Sequence, residues 1–141
     1  EAQHFRRYAL EQEAAGGAGI VARVEHTVAR QASLRAGLRL PKRAVNAADG
    51  FMFVDHLGDI CPSGFLPVRR GNVREDSLAE VYRHDELFRG LRDHSKLKGK
   101  CGVCEYREVC GGSRARSWAV TGDAWASDEA CAYEPARWGA R

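Results

Sequence analysis

Of the five cysteines in this 141-residue chain, four fall in its last third, and three of those form the tight array Cys101-x2-Cys104-x5-Cys110. Two residues between the first pair let a turn aim both sulfurs at one centre, and Gly102 lets the backbone bend there. Five residues before Cys110 allow about one helical turn and a return to the same centre. Gly111 and Gly112 follow directly. Without Cβ atoms, their N–H groups can approach a cluster sulfide closely, one of the ways proteins tune cluster potential. Three thiolates leave one position unfilled. Cys131 lies beyond Thr121-Gly122-Asp123, and a helix out with an irregular segment back would return it to the array. Cys101, Cys104, Cys110 and Cys131 therefore read as a four-thiolate donor set. Such a set suits an iron–sulfur cluster or a closed tetrahedral zinc site. Zinc ribbons usually present two paired knuckles, and only Cys101–Cys104 makes one here. Four thiolates with an iron–sulfur core carry net negative charge, and Lys98, Lys100, Arg107, Arg114 and Arg116 stand near enough in sequence to offset it.

Other chemistries find little support. The five histidines, His4, His26, His56, His84 and His94, are scattered and form no paired ligand motif, so each reads as a surface or turn residue. Glu105 and Glu108 flank the array but read as a solvated helical turn rather than an acid–base pair. Gly16-Gly17-Ala18-Gly19 lacks the preceding strand and the Lys-Ser/Thr of a phosphate loop. No Ser or Cys nucleophile motif is present. Net charge is +3, with arginines spread along the chain, which suits a solvated surface and not a nucleic-acid face. No stretch approaches the ~20 apolar residues of a membrane span. No secretory h-region is visible, and an odd, clustered cysteine count argues against a disulfide framework. The expected location is the reducing cytoplasm.

The elements that must position these thiols read as an α+β fold. Residues 1–15 and 20–38 read as helices separated by the glycine run, with Pro41 ending the second. Phe51 to Val54 and Ile60-Cys61 read as a β-hairpin around Asp55-His56-Leu57-Gly58-Asp59, with Gly58 available for positive φ. Gly71-Asn72 marks a turn. Ser77-Leu78-Ala79-Glu80 has capping-box spacing and opens a helix with Leu78, Val81 and Tyr82 on its apolar face. A second helix with Leu87, Phe88 and Leu91 follows a break near Asp85. Residues 96–100 read as a basic loop. Residues 113–120 read as a short helix that Gly122 can terminate in the left-handed conformation, and residues 125–141 as irregular.

At this point the sequence resembles a known family. Cys101, Cys104, Cys110, Gly111-Gly112 and Cys131 are similar to the cysteine-rich part of the SPASM/twitch domains that follow the barrel of radical SAM maturases. Residues 50–60 resemble the hairpin that opens such domains, and Cys61-Pro62-Ser63-Gly64-Phe65 and residues 71–78 continue the match. Glu1 to Arg7 resembles the end of the barrel in a bacterial subgroup. The resemblance implies two parts: residues 1–45, a helical segment from the end of a barrel with its linker, and residues 46–141, a SPASM/twitch-like iron–sulfur domain. It also favours iron–sulfur over zinc, with one [4Fe–4S] cluster on Cys101, Cys104, Cys110 and Cys131. The cluster's implied roles are support of the domain, electron relay or shaping of a substrate cavity. Implied partners are a separate radical SAM core and a peptide or tetrapyrrole-like substrate.

Three departures from the family pattern matter. Full SPASM domains use seven cysteines for two clusters. The cysteine expected after three intervening residues beyond Cys110 is replaced by Arg114, and the one expected after four beyond Gly71 by Asp76. Cys61 is left alone from that first cluster and is expected to be a small buried residue of the hairpin, not a ligand. No C-x3-C-x2-C array for a SAM-cleaving cluster exists in these 141 residues, so SAM is not expected to bind this chain and the chain alone is expected to generate no radical.

Overall fold

The computed structural model describes residues 45–139, together with Arg7, Leu10, Glu11, Ala14, Ala15 and Gly16. The helix read over residues 20–38 lies outside the described residues. So does most of the helix read over residues 1–15, although Arg7, Leu10, Glu11 and Ala14 are helical.

Strands β1 (Phe53–Val54) and β2 (Asp59–Cys61) form the expected hairpin, with Phe53 opposite Cys61 and Val54 opposite Ile60. Its turn is made by Asp55, whose carboxylate accepts the N–H groups of Leu57 and Asp59, and by Gly58 at φ +88°. Gly71-Asn72 is not the expected turn. It forms a third antiparallel strand, β3 (Gly71–Asn72), on the other edge of β2, with Asn72 opposite Asp59 and Gly71 opposite Ile60. The reason is long-range: Arg70 N–H donates to Ile60 C=O, and the Asn72 amide bonds Leu57 C=O and the Asp59 carboxylate. The chain turns one step later, where the Glu75 and Asp76 N–H groups donate to Asn72 C=O.

Helices α1 (Leu78–His84) and α2 (Glu86–Arg92) follow. Ser77 occupies the N-cap of α1 with extended backbone but makes no side-chain cap bond, so the capping box is not formed. The break falls at Asp85, which caps α2 by accepting from Leu87 and Phe88 N–H. The expected basic loop is largely helical: a 3-10 turn over His94–Lys96 leads into α3 (Gly99–Val103), which carries Cys101. Helix α4 (Arg114–Thr121) starts at Ser113, whose side chain accepts from Arg116 N–H, and ends at Gly122 in the left-handed region. Residues 125–139 form turns and irregular backbone.

One apolar core joins the sheet to the helices. Ile60, Leu66, Phe88, Leu91, Ala47, Ala48 and Ala124 are buried together, with Trp118 and Trp125 packed against them. The cysteine segment lies at the edge of this core and is fastened mainly by polar contacts.

Candidate metal centre

Cys101 is set inside α3, and Cys104 is the residue that ends that helix. Gly102 is required at the bend, because a Cβ there would run into the carbonyl oxygen of Leu97. The next turns are closed by Arg107 N–H to Cys104 C=O and by Cys110 N–H to Tyr106 C=O, which bring Cys110 back toward Cys101. The chain then passes through Gly111 and Gly112 at φ +67° and +64°. Cys131 returns on the far side of α4, held by its N–H to Asp128 C=O. All four cysteines line one cavity of about 350 Å³ (open mouth included), together with Gly111, Gly112, Arg7, Lys100 and Arg107. Cys101 and Cys110 are buried, while Cys104 and Cys131 are half-buried. Cys61 is buried in β2 and does not line the cavity. Among the described residues, no three His, Cys, Asp or Glu side chains close on a point that one metal ion would fill.

The sulfurs are supplied with donors. Gly112 N–H donates to Cys110 Sγ at 3.5 Å, Asp128 N–H to Cys101 Sγ at 3.4 Å, and Arg114 Nη2 to Cys101 Sγ at 3.7 Å. The glycine pair thus offers an N–H to the Cys110 sulfur. Gly112 also makes room: a Cβ there would lie 2.6 Å from Arg114 Nη2 and 3.1 Å from Cys101 Sγ. Burial pushes the Cys110 thiol above its ordinary range against the Gly112 N–H, and burial likewise raises Cys104. A bound metal centre reverses this preference, because it takes the thiolate form.

The five cations expected near the array divide into two groups. Lys100 and Arg107 line the cavity, and Arg114 sits behind Cys101. Lys98 instead pairs with Asp123, and Arg116 makes a bidentate pair with the buried Asp128, both bonds 2.6 Å. Arg114 is 1% exposed and also donates to the carbonyls of Ala124 and Ala126. Arg7 was not among the expected residues. It lines the cavity, pairs with Glu11 at 2.7 Å and stacks 4.7 Å over the Tyr133 ring. Nothing in its local sequence marks it, since only the folded chain brings it there.

His94 corrects a second expectation. It does stand in a turn, the 3-10 turn over His94–Lys96, but it is 5% exposed and not on the surface, and its ring lies under Gly111, 3.1 Å from where a Cβ would be. A solitary histidine carries no pattern to announce such burial. His56 and His84 are exposed, as are Glu105 and Glu108. Glu105 accepts a hydrogen bond from Tyr133, which holds the carboxyl below its usual range and pushes the phenol up. Asp76, at a position where the family pattern has a cysteine, accepts Asn72 N–H at 2.8 Å and closes the turn after β3.

No family model matches the chain. It is 49% identical over 88 residues to an AdoMet-dependent heme synthase of Methanosarcina barkeri, covering 62% of this chain and 25% of that protein. A similarly described protein of Nitratidesulfovibrio vulgaris is 41% identical over 101 residues, 72% of this chain and 28% of its own length. A PqqA peptide cyclase of Xanthomonas campestris is 32% identical over 109 residues, 73% of this chain and 29% of its own length. The chain is homologous to radical SAM proteins that carry SPASM/twitch domains. It spans between a quarter and three-tenths of the length of these curated relatives. Such radical SAM relatives imply iron–sulfur chemistry. Among the described residues no helix is long and apolar enough to cross a membrane.

Proposed function

We propose that the chain holds one [4Fe–4S] cluster through Cys101, Cys104, Cys110 and Cys131, as the SPASM-like auxiliary domain of a radical SAM maturase. Residues 46–141 form that domain in this reading, and residues 1–45 are the end of the barrel and its linker. The single observation that carries the proposal is the cavity lined by all four cysteines at once. Its chemistry fits the group. The donors are four sulfurs, N–H groups reach two of them, and Arg7, Lys100 and Arg107 line the same wall. A single zinc ion with Zn–S bonds of about 2.3 Å needs sulfurs about 3.8 Å apart around one point. A [4Fe–4S] centre is larger, because each thiolate takes a different iron.

A bound cluster supplies one-electron transfer. The chain's own residues anchor it, hold Cys101 and Cys110 away from water and set positive charge beside the sulfurs. In the whole protein the domain would support electron relay or substrate binding next to a radical SAM core. The relatives described as heme synthase and peptide cyclase point to a tetrapyrrole-like or peptide substrate. Anaerobic reconstitution tests the centre. About four iron and four sulfide per chain, with broad absorbance at the visible–ultraviolet border, are expected. A colourless protein that takes up one zinc instead defeats the proposal and leaves a zinc-stabilised interaction module.

A further inference from the structure

We infer that Arg114 is a positioning residue for the metal centre: its buried guanidinium, donating to the Cys101 sulfur, raises the reduction potential of the cluster bound there. This rests on the proposal that Cys101 is a cluster ligand. Burying a guanidinium costs free energy unless an opposite charge and hydrogen bonds compensate it. Arg114 is 1% exposed, and a guanidinium keeps its proton inside proteins. Nη1 donates to two neutral carbonyls, Ala124 at 2.8 Å and Ala126 at 2.9 Å, and Nε has no partner. Nη2 points at Cys101 Sγ, 3.7 Å away. The nearby carboxylate of Asp128 is engaged by Arg116 through both oxygens and by Ser113 N–H.

The contact between sulfur and guanidinium is built, not incidental. Gly112 is the residue that leaves space for it, because a Cβ would press on Arg114 Nη2 and Cys101 Sγ together. Asp128 N–H supplies a second donor to the same sulfur. Three elements therefore converge on Cys101: α3 presents it, the start of α4 presents the cation, and the 128 turn presents the amide. Reduction adds an electron to a centre already negative through its four thiolates. A fixed cation and N–H···S bonds in a water-poor site favour the reduced form. Arg114 also fastens the 124–126 backbone, so the test must read something that a purely structural role would leave unchanged.

The test uses the full 141-residue chain, anaerobically reconstituted, as wild type, Arg114→Lys, Arg114→Gln and the rim control Arg107→Lys. In a dithionite spectroelectrochemical titration, the ratio of reduced to oxidised cluster at fixed potential should fall about tenfold in R114Q, a shift of about 59 mV to more negative potential. R114K should fall between R114Q and wild type. Pulsed EPR of the reduced cluster in protein labelled with 15N only in arginine guanidinium groups should show a nitrogen coupling in wild type and R107K and lose it in R114K. Equal potentials in the loaded variants overturn the inference. So does the absence of the coupling from loaded wild type, a result that needs no variant to fold. Loss of the coupling in R107K assigns it to the rim and also overturns the inference. A wild-type chain that binds no iron and sulfide instead overturns the reading of the centre, and the two failures are distinguishable by iron content alone.

Discussion

Gly112 and Gly122 both hold left-handed backbone, at φ +64° and +75°, yet a side chain at each would meet different surroundings. At Gly122 a Cβ meets nothing within 4 Å, so Gly122→Ala carries only the left-handed penalty of about 1–2 kcal/mol. At Gly112 the same methyl presses on Arg114 and Cys101, adding overpacking of about 1–3 kcal/mol. Urea unfolding of the metal-free variants should order them this way. Iron content after reconstitution should drop in G112A and hold in G122A; equal iron in both would remove Gly112 from the centre. At this scale the gathering of the four thiols on one cavity was legible, the first three from their spacing and Cys131 from the turn that returns the chain. Arg114 was legible as a departure, since it stands where the family pattern has a cysteine, but its burial was not. Arg7 reaches the cavity, and His94 the underside of Gly111, only through tertiary contacts that no neighbouring residue encodes.

Asp85 shows how one side chain joins two elements. It ends α1, caps α2 through two N–H groups and pairs with Arg70 at 2.8 Å, tying the helices to the chain that leads into β3. Burial disfavours its charged form, but the bond from Arg70 and the two helix N–H groups outweigh it and hold the carboxyl below its usual range. A carboxyl depressed in the folded state stabilises it above the unfolded pKa of about 3.9 and stops doing so as pH falls through the folded value. Asp85→Ala should therefore lower stability at pH 7 by about 1–2 kcal/mol, the cost of a lost cap. The gap between variant and wild type should narrow as pH drops below about 4, measured by thermal unfolding of the metal-free chain. A gap that stays constant down to pH 2 would show that the charge contributes nothing. The hairpin, the break at Asp85 and the Gly122 terminator were legible because turn and cap residues act locally. Strand β3 was not, because Gly71-Asn72 has the composition of a turn and becomes a strand only by pairing with Asp59 and Ile60. Ser77 shows the converse: a capping-box spacing whose serine makes no cap bond.

The whole molecule divides by what holds it. Without a C-x3-C-x2-C array, the chain incubated with SAM and a strong reductant should give no 5′-deoxyadenosine above a protein-free control, and a yield that depends on this chain would refute the reading. The apolar core draws on the sheet, α1 and α2, and it also reaches into α4 through Ala115 and Trp118, and into the following turn through Ala124 and Trp125. Trp125 Nε1–H donates to Gly90 C=O, fastening that turn to α2. Residues 104–112 and 129–135 contribute few large apolar side chains to this core, and Val103 is exposed. Ordering each residue costs roughly 1–2 kcal/mol of backbone entropy, which sparse burial does not offset. Binding a metal centre to the folded form adds its free energy to stability and supplies the missing cross-links. Hydrogen exchange on metal-free and reconstituted protein should therefore show a split within the C-terminal third. Amides of α4, up to Gly122, should be protected in both forms along with α2 and the sheet. Amides near Cys104, Cys110, Gly112 and Cys131 should gain protection only when the centre is loaded. Equal protection of these four sites in both forms would mean that the polar contacts alone order the loops, and that the metal centre binds to a frame already made.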